Sequence, residues 1–481
     1  MTGTEETISC PLHQAALRDP DSPAIVRDGA TISYKKLDRL VSAASERLAG
    51  LGLERGVRVA LYLPKTEHYV VLLLALLRAG AVSCPISTRL PLDGVAAVLG
   101  RAGCEALISD AESLDSLDPE TRRPSLKDVL AGENDAPRFA LRSPGPLVLD
   151  RVATVVFTSG STSTPKAAIH TFGNHYYSAL GSNANIPLAP GDRWMHSLPL
   201  YHVGGLSVIF RCTLAGATIV LPDSRSSLGE AIVDSGATHV SLVATQLRRL
   251  LEEGIPAGHL KAVLMGGGPT PGDLVDEAVS RGFPIHTSYG LTEMASQVTT
   301  TPPQAPPDEL HTSGHTLPHR EVSIAEDGEI LVRGKTLFAG YIAGGETIRL
   351  VDDDGWFHTK DLGEFTVDGL HVRGRKDNLF ISGGENIQPE EVEEALLRLP
   401  GVEEAAVVPV PDAEFGARPV AFVRSASANV PADLRKELER ALPRFKVPKV
   451  FHDWPEDAPE DMKVNRRFFH ERALRLSNES P

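Results

Sequence analysis

Strand-like and helix-like patterns alternate along the first hundred residues of this 481-residue chain. Apolar side chains recur at helical spacing over 37–51 and 66–79, and the runs 57–63 and 82–86 that follow these helices are short and apolar. The predicted elements that continue the alternation are a helix at 92–102 and strands near 106–108, 218–221, 239–243, 262–265 and 285–287. Because strands that alternate with helices pair in parallel, this order predicts a layered α/β fold.

The pattern changes near Pro302 and again near Arg375. Short strands separated by Gly turns predict a small β subdomain at about 302–375, and a compact α+β pattern follows it. The predicted elements of this last part are helices at 389–397 and 431–441 and strands at 404–409 and 419–424. The predicted fold class is therefore α/β: a large N-terminal domain of layered α/β subdomains plus the small β subdomain (1–375), then a small α+β C-terminal domain (379–481).

Charge and cysteine content restrict the classes of partner. A formal net charge of −15 disfavours nucleic acid or an anionic membrane as the main partner. The cysteines, Cys10, Cys84, Cys104 and Cys212, lack the C-x-x-C spacing of zinc sites and indicate a reducing compartment. The apolar run 69–77 is shorter than the ~20 residues that span a bilayer and predicts a buried helix. We therefore expect a cytoplasmic protein that binds small molecules, and the sequence is compatible with a homo-oligomer.

A loop rich in hydroxyl groups follows an apolar strand pattern in the middle of the chain. Residues 158–166, TSGSTSTPK, offer many short donors, a permissive Gly160 and a cation, Lys166, which suit a polyphosphate. The spacing from Gly160 to Lys166 matches the phosphate loop G-x-x-x-x-G-K, but Pro165 replaces the second Gly and Ala167 replaces the hydroxyl that ligates Mg²⁺. A magnesium ligand must therefore come from elsewhere. From composition alone, a Ser/Thr-rich surface linker is an equal alternative.

This loop resembles the phosphate loop of the acyl-adenylating superfamily, which comprises acyl-CoA ligases, the adenylation domains of peptide synthetases and luciferases. The usual form of that loop has Gly where this chain has Ser163. The resemblance implies that the loop binds ATP and that Lys166 is catalytic. The nucleotide contacts that it implies within the loop are Thr158, Ser159, Gly160, Ser161 and Thr162.

The segment 288–293, SYGLTE, supplies the magnesium ligand under the same resemblance. Glu293 offers a hard oxygen, and Mg²⁺ typically takes one or two carboxylates together with substrate phosphates. Thr292 is expected to donate to the α-phosphate as a catalytic residue, and Tyr289 to present a flat face to adenine. Taken alone, Thr292 is also compatible with an ordinary helix N-cap. The other nucleotide-pocket residues that the resemblance implies are Ser288, Gly290, Gly266 and Gly267.

A third segment, WFHTKD, resembles the ribose site of the superfamily. Asp361 matches the Asp that accepts both ribose hydroxyls, which suits an acceptor-only carboxylate, although Lys360 replaces the usual Gly. Arg375 matches an Arg that contacts the ribose. Asp377 matches the hinge, predicted at 376–378, about which a mobile C-terminal domain turns. Taken alone, Asp361 is equally compatible with a solvent-facing turn.

Two further matches lie in the C-terminal domain. Gly383 and Gly384 match glycines next to the thioester-forming site, where the pantetheine arm of coenzyme A would clash with a side chain. Lys463 matches the catalytic lysine that bridges the substrate carboxylate and the α-phosphate, although Met462 replaces the Gly that usually precedes it. Without the resemblance, a lysine near a C-terminus is more simply a solvated surface residue.

Four segments are similar to the o-succinylbenzoate–CoA ligases of menaquinone and phylloquinone synthesis: TSGSTSTPKAAIHT, SLPLYHVGGLSVIFR, THVSLVATQLRRLL and SYGLTEMASQVTT. That substrate has a second carboxylate, which needs a counter-charge because an unpaired buried charge is costly. Arg211, in an otherwise apolar run, is the candidate partner, and an Arg that snorkels to the surface is the alternative. His202 is expected to orient the reacting carboxylate, or else to be structural. Gly267 and Gln297 complete the predicted acyl pocket.

The resemblance implies an AMP-forming acid–CoA ligase that uses ATP and Mg²⁺, with coenzyme A as co-substrate. The expected reaction activates o-succinylbenzoate as its acyl-adenylate and transfers the acyl group to coenzyme A. Three alternatives are a CoA ligase for another aryl or fatty acid, a luciferase-like oxidoreductase, and a catalytically decayed nucleotide-binding homologue. The departures at Ser163, Lys360 and Met462 are where such decay could have begun.

Overall fold

The computed structural model describes residues 5–111, 114, 121–130, 144–158, 166–222, 225–412, 414–425, 434–459 and 464–479. The predicted site residues Ser159, Gly160, Ser161, Thr162 and Lys463 lie outside this described part. All four cysteines lie within it, and they are free thiols.

The helices of the described chain are α1 (Pro11–Arg18), α2 (Tyr34–Gly50), α3 (Glu67–Ala79), α4 (Leu92–Ala102), α5 (Leu126–Val129), α6 (Phe172–Asn185), α7 (Val203–Ala215), α8 (Leu228–Ser235), α9 (Ala244–Glu252), α10 (Gly272–Ser280), α11 (Pro307–Leu310), α12 (Pro389–Leu397), α13 (Leu434–Ala441) and α14 (Arg466–Glu479). The strands up to the middle of the chain are β1 (Thr7–Ile8), β2 (Pro23–Arg27), β3 (Ala30–Ser33), β4 (Arg58–Tyr62), β5 (Val82–Pro85), β6 (Ala106–Ser109), β7 (Leu147–Val148), β8 (Val152–Thr158), β9 (Lys166–Thr171), β10 (Arg193–Met195), β11 (Thr218–Leu221), β12 (His239–Leu242), β13 (Ala262–Met265) and β14 (Ile285–His286). The later strands are β15 (Ser288–Leu291), β16 (Ser296–Thr300), β17 (His315–Thr316), β18 (Arg320–Ile324), β19 (Glu329–Gly334), β20 (Gly340–Ala343), β21 (Glu346–Ile348), β22 (Phe357–Thr366), β23 (Gly369–Arg375), β24 (Phe380–Ser382), β25 (Glu385–Ile387), β26 (Val402–Asp412), β27 (Gly416–Ser425) and β28 (Val450–Asp453).

Two seven-stranded sheets organise the N-terminal part. Their strand orders are β21-β20-β9-β8-β5-β4-β6 and β14-β13-β12-β10-β11-β2-β3. The pairings among β4, β5, β6 and β8 are parallel, and so are all those from β14 to β2. The alternation of strands and helices therefore gave the expected parallel ladders, and the predicted α/β class is confirmed.

The largest buried cluster joins both sheets through α2, α3, α6 and α7. Helix α3 contributes eight consecutive buried residues, Tyr69 to Leu76, which confirms the predicted buried helix. It ends at Gly80, whose φ of 76° is the left-handed conformation that glycine adopts at low cost. No helix in the described part of the chain is both long and apolar enough to cross a bilayer.

Strands β20 and β21 fall within the small β subdomain that the sequence predicted, but they pair with a different sheet. That region forms a four-stranded sheet of order β18-β19-β22-β23, but β20 pairs antiparallel with β9 of the first large sheet. The pairing covers the outer edge of β9, which would otherwise present unpaired backbone groups. It also buries Tyr341 and Ile342. The loop-bearing hairpin and this late segment are therefore parts of one sheet.

The C-terminal part has a core of its own, between the sheet β26-β27-β28 and helices α12 to α14. A short 3₁₀ turn, Lys376–Asn378, connects β23 to it. The side chain of Gln388 donates to the carbonyl of Arg375 (2.9 Å) across this connection. The domain boundaries and the rotation about residues 376–378 stay predictions.

Candidate active site

The described ends of the hydroxyl-rich loop face each other. Strands β8 and β9 pair antiparallel, and Thr158 lies opposite Lys166 in the register. The sequence folds this way because both strands bury apolar or small side chains: Ala153 to Val156 on β8 and Ala167 to Ile169 on β9. The loop is thus held at both ends by a sheet, and the exposed Lys166 lies at its mouth.

Glu293 is connected to Lys166 through Tyr341. The Tyr341 hydroxyl donates a hydrogen bond to Oε1 of Glu293, and Lys166 Nζ lies 5.2 Å from the centroid of the Tyr341 ring. Tyr341 pairs with Ala168 on β9, so Lys166 is its diagonal neighbour on the same face. Burial and the neighbouring Glu293 carboxylate raise the pKa of Tyr341, which keeps this hydroxyl protonated and able to donate.

The donor set around Glu293 fits a magnesium ion that arrives with a nucleotide. The described residues contain no group of three or more His, Cys, Asp or Glu side chains that could hold a metal ion. Mg²⁺ keeps several waters or phosphate oxygens and needs only one or two carboxylates. Glu293, on the 3₁₀ turn Thr292–Met294 directly after β15, provides one such carboxylate beside the loop mouth.

Asp361 lies with Tyr289 and Arg375. The Tyr289 hydroxyl donates to Oδ2 of Asp361 (2.6 Å), and Arg375 Nη1 lies 3.0 Å from Oδ1. The Asp361 side chain is only 13% exposed, so the solvent-facing alternative for this residue is wrong. Burial and the Asp361 carboxylate raise the pKa of Tyr289. Two donors thus orient the carboxylate, and its remaining lone pairs can accept hydrogen bonds from a vicinal diol.

The pairs Tyr289–Asp361 and Tyr341–Glu293 form one site. Both tyrosines belong to the same buried cluster, which also contains Phe338 and Phe357. Strands β9, β15, β20 and β22 each contribute a residue to this cluster, so three sheets meet there. The structure therefore brings together the loop ends, the predicted magnesium carboxylate and the predicted ribose carboxylate.

Local structure explains why glycine occupies three positions of the predicted nucleotide pocket. A Cβ at Gly266 would lie 3.2 Å from Oγ of Ser288, which itself donates to the Met265 carbonyl (2.6 Å). Gly267 has a φ of 86°, a conformation that favours glycine. A Cβ at Gly290 would collide with the backbone of Ser296 on the paired strand β16.

Sequence reasoning missed His170 as well as Tyr341. His170 is fully buried on β9, and its Nε2 lies 2.7 Å from the carbonyl oxygen of Thr292. Burial lowers its pKa to about 4, so the neutral ring donates this hydrogen bond. His170 thereby fixes the turn that carries Thr292 and Glu293. The helix N-cap alternative for Thr292 is wrong, because a three-residue 3₁₀ turn, and no α-helix, begins there.

Arg211 lies on a buried face of α7 that contacts β16. Its Nη2 donates to Ser296 Oγ (2.9 Å) and Gln297 Oε1 (2.8 Å), and its guanidinium carbon lies 5.1 Å from the Trp194 ring centroid. The residue is 1% exposed, so the surface-snorkelling alternative is wrong. Its Nε and Nη1 atoms are buried without a hydrogen-bond partner. Burial lowers its pKa to about 10, which leaves it charged at neutral pH.

His202 stands at the N-cap position of α7 and packs against Tyr201, with ring centroids 4.6 Å apart. It is half-buried, in contrast to the fully buried Arg211 two and a half turns along the same helix. Gly205 in the first turn has no room for a side chain, because a Cβ would collide with the Pro199 carbonyl. The chain before α7 therefore folds tightly onto the helix, which fixes the position of His202.

The structure does not join the C-terminal glycines to this cluster. Gly383 and Gly384 form the turn between β24 and β25, and the Gly383 N–H donates to the Phe415 carbonyl (2.9 Å) within the same part. The predicted hinge residue, in contrast, contacts the neighbour of Asp361 in sequence: Asp377 Oδ1 lies 3.2 Å from Lys360 Nζ.

Comparison with known proteins gives matches along most of the chain. Residues 12–342 match the AMP-binding enzyme family, and residues 391–459 match the AMP-binding enzyme C-terminal domain. The 2-succinylbenzoate–CoA ligase of Bacillus cereus is 33% identical over 460 residues, which cover 92% of this chain and 94% of the relative. The corresponding enzyme of Salmonella typhimurium is 35% identical, with 93% and 94% covered.

A solved structure shares the fold as well. The o-succinylbenzoate CoA synthetase of Bacillus subtilis, in complex with the acyl-adenylate intermediate OSB-AMP, has a TM-score of 0.84 at 29% identity, over 96% of this chain and 98% of that one. The same enzyme has also been solved in complex with ATP and magnesium ion, again with a TM-score of 0.84. This chain belongs to the AMP-binding enzyme family, within the acyl-adenylating superfamily, and is similar to its 2-succinylbenzoate–CoA ligases.

Proposed function

We propose that this protein is an ATP-dependent ligase that activates o-succinylbenzoate as its acyl-adenylate and transfers the acyl group to coenzyme A, a reaction of menaquinone or phylloquinone synthesis. The observation that carries the choice of acid is Arg211, a buried cation whose Nε and Nη1 nitrogens have no hydrogen-bond partner among the described residues. An unpaired buried guanidinium in an acyl pocket is best stabilised by a second carboxylate of the substrate.

Adenylation joins a carboxylate oxygen of the acid to the α-phosphorus of ATP and breaks the bond to the leaving pyrophosphate. An ionised carboxylate needs no general base at neutral pH, so His202 acts by orienting the acid. Asp361 accepts the ribose hydroxyls, and Lys166 and Lys463 stabilise the charge that grows on the phosphate oxygens. Magnesium held by Glu293 and the phosphates supplies further positive charge there.

Thioester formation joins the thiolate sulfur of coenzyme A to the acyl carbon, and AMP leaves. One cation is difficult to place on both reactions, so we propose that the C-terminal domain turns about Asp377 between them. This rotation withdraws Lys463 and presents Gly383 and Gly384 to the pantetheine arm. A cytoplasmic location and a homo-oligomeric state are further proposals from the sequence.

The direct test is AMP release from ATP with o-succinylbenzoate, measured with and without coenzyme A. We expect slow AMP release without coenzyme A, since the adenylate stays bound, and turnover when it is added. A panel of aryl and fatty acids under pyrophosphate exchange tests the alternative of a different acid. ATP binding without AMP formation for any acid would contradict the proposal and favour a decayed homologue.

Replacing Arg211 with methionine is expected to lower kcat/KM for o-succinylbenzoate by roughly 10- to 100-fold, the scale of losing hydrogen bonds to a charged group. Methionine keeps much of the buried volume but cannot pair with a carboxylate. Arg249, exposed on α9, provides the matched control as Arg249→Met. An unchanged KM and rate for Arg211→Met would remove Arg211 from the acyl pocket.

A further inference from the structure

A second buried guanidinium lies on the other side of Gln297. Arg320, at the start of β18, is 5% exposed. Its Nη1 donates to the carbonyl of Gln297, its Nε to the carbonyl of Pro318 (3.1 Å), and its Nη2 to the carbonyls of Tyr177 and Ser178 (both 3.4 Å). Every one of these acceptors is an uncharged backbone oxygen.

Arg320 and Arg211 bind the same residue from two directions. Arg211 holds the side-chain Oε1 of Gln297, and Arg320 holds its backbone carbonyl. The Gln297 side chain is further fixed through its Nε2, which donates to Thr300 Oγ1 (2.6 Å). Burial, together with the positive charge of Arg211, lowers the pKa of Arg320 to about 9, so both guanidinium groups are charged at neutral pH.

Neither cation has an acidic partner in the described structure. The ion pairs found among the described residues include none that joins Arg211 or Arg320 to a carboxylate. Two like charges that share one residue repel each other, and in a poorly solvated interior that repulsion is larger than at a surface. An anion bound beside Arg211 relieves the repulsion in addition to satisfying the Nε and Nη1 atoms of Arg211.

We propose that Arg320 is a positioning residue that gives the acyl pocket its selectivity for doubly charged acids. It holds Gln297, and through Gln297 the Arg211 guanidinium, and its own charge adds to the attraction for the second carboxylate. The inference rests on the proposed function, because it concerns the free carboxylate of that substrate. Gly181 supports it, since a Cβ there would collide with Arg320 Nη2 and lie 2.7 Å from the Pro318 carbonyl oxygen.

The test compares o-succinylbenzoate with its two mono-acid analogues, each of which lacks one carboxyl group. Wild-type protein identifies which analogue is still adenylated. The measured quantity is the ratio of kcat/KM for the di-acid to kcat/KM for that mono-acid. The variants are Arg320→Gln, Arg320→Lys and Gly181→Ala. Arg333→Gln is the matched control, because Arg333 lies on the neighbouring strand β19 and pairs with the exposed Glu321.

We expect the ratio to fall about tenfold or more in Arg320→Gln, the scale on which loss of a buried charge changes binding of an opposite charge. Arg320→Lys keeps a charge, so its ratio should fall less. The ratio for Gly181→Ala should lie between those of wild type and Arg320→Gln. The ratio for the control Arg333→Gln should equal that of wild type. Where Arg320→Gln does not fold, as judged by thermal unfolding, the ratio for Gly181→Ala decides.

A purely structural role for Arg320 predicts a different result. Equal losses for the di-acid and the mono-acid, or an unchanged ratio, would overturn the inference while leaving the proposed function intact. Failure of the proposed function is a separate outcome, seen in the wild-type arm as no adenylation of o-succinylbenzoate. Adenylation of o-succinylbenzoate by wild-type protein without preference for it over the mono-acid would overturn the inference alone.

Discussion

Lys463→Ala is expected to lower the rate of adenylate formation by roughly 10²- to 10³-fold, the effect of removing one donor that stabilises a growing oxyanion. Thioester formation from preformed adenylate should be largely intact, because the proposed rotation removes this lysine before coenzyme A reacts. The measurement is a pair of single-turnover experiments, one with ATP and acid, the other with isolated acyl-adenylate and coenzyme A.

The contacts of Arg466 support the proposal that Lys463 moves with the C-terminal domain. This residue follows Lys463 by three positions and is held by α12. Its guanidinium lies 2.6 Å from carboxylate oxygens of Glu393 and 2.9 Å from Glu390. The chain from Arg466 onward is therefore anchored to the core of the C-terminal part, three residues after Lys463.

The control for this experiment is Lys449→Ala, since Lys449 is another lysine of the C-terminal part and pairs with Asp412 on the surface. It should leave both half-reactions at the wild-type rate. Equal losses in both half-reactions for Lys463→Ala would contradict the two-conformation scheme, because they would require the lysine to act in both steps.

Glu293→Gln is expected to lower adenylation about a hundredfold at fixed magnesium concentration, the upper end of effects seen when groups that support a metal are removed. The amide keeps the shape of the side chain but loses the negative charge that attracts the ion. Part of the loss should be recovered at raised magnesium concentration. Rates of pyrophosphate release over a magnesium titration measure both effects.

Tyr341→Phe belongs to the same experiment. It removes only the hydroxyl that orients the Glu293 carboxylate, so a smaller loss of about tenfold is expected, with a similar shift in the magnesium titration. Glu321→Gln, at an exposed surface pair with Arg333, is the control. A wild-type magnesium dependence in Glu293→Gln would show that the ion is held elsewhere.

Much of the fold could be predicted because hydrophobic periodicity is local. The pattern at 92–102 became α4 without a change of bounds, and 262–265 became β13. The sheet in which β20 pairs could not be predicted, because a short apolar strand between glycines has the same sequence pattern in either sheet. Its pairing with β9 depends on which strand edge is free in the folded chain.

The residues of the candidate site likewise include some that the sequence predicted and some that it did not. Glu293 and Asp361 stand in recognisable segments, and the structure places them around one cluster. Tyr341, His170 and Arg320 had no such signal, because each acts through a partner more than twenty residues away in sequence. A single polar residue in a strand acquires a role only when the tertiary structure supplies its partner. The two nitrogens of Arg211 without a hydrogen-bond partner, Nε and Nη1, likewise depend on its surroundings.

The pairing of β20 with β9 also affects how the chain tolerates changes of length. Lys166 and Tyr341 are held at their separation by the ladder hydrogen bonds between β9 and β20. The connection from β21 to β22, residues 349–356, touches that arrangement through Val351, which packs against the cluster that contains Tyr341. Insertions at the exposed tip of this connection, residues 352–354, should therefore leave nucleotide handling unchanged. A proline placed at Ile342, within the ladder, should instead disturb both residues together.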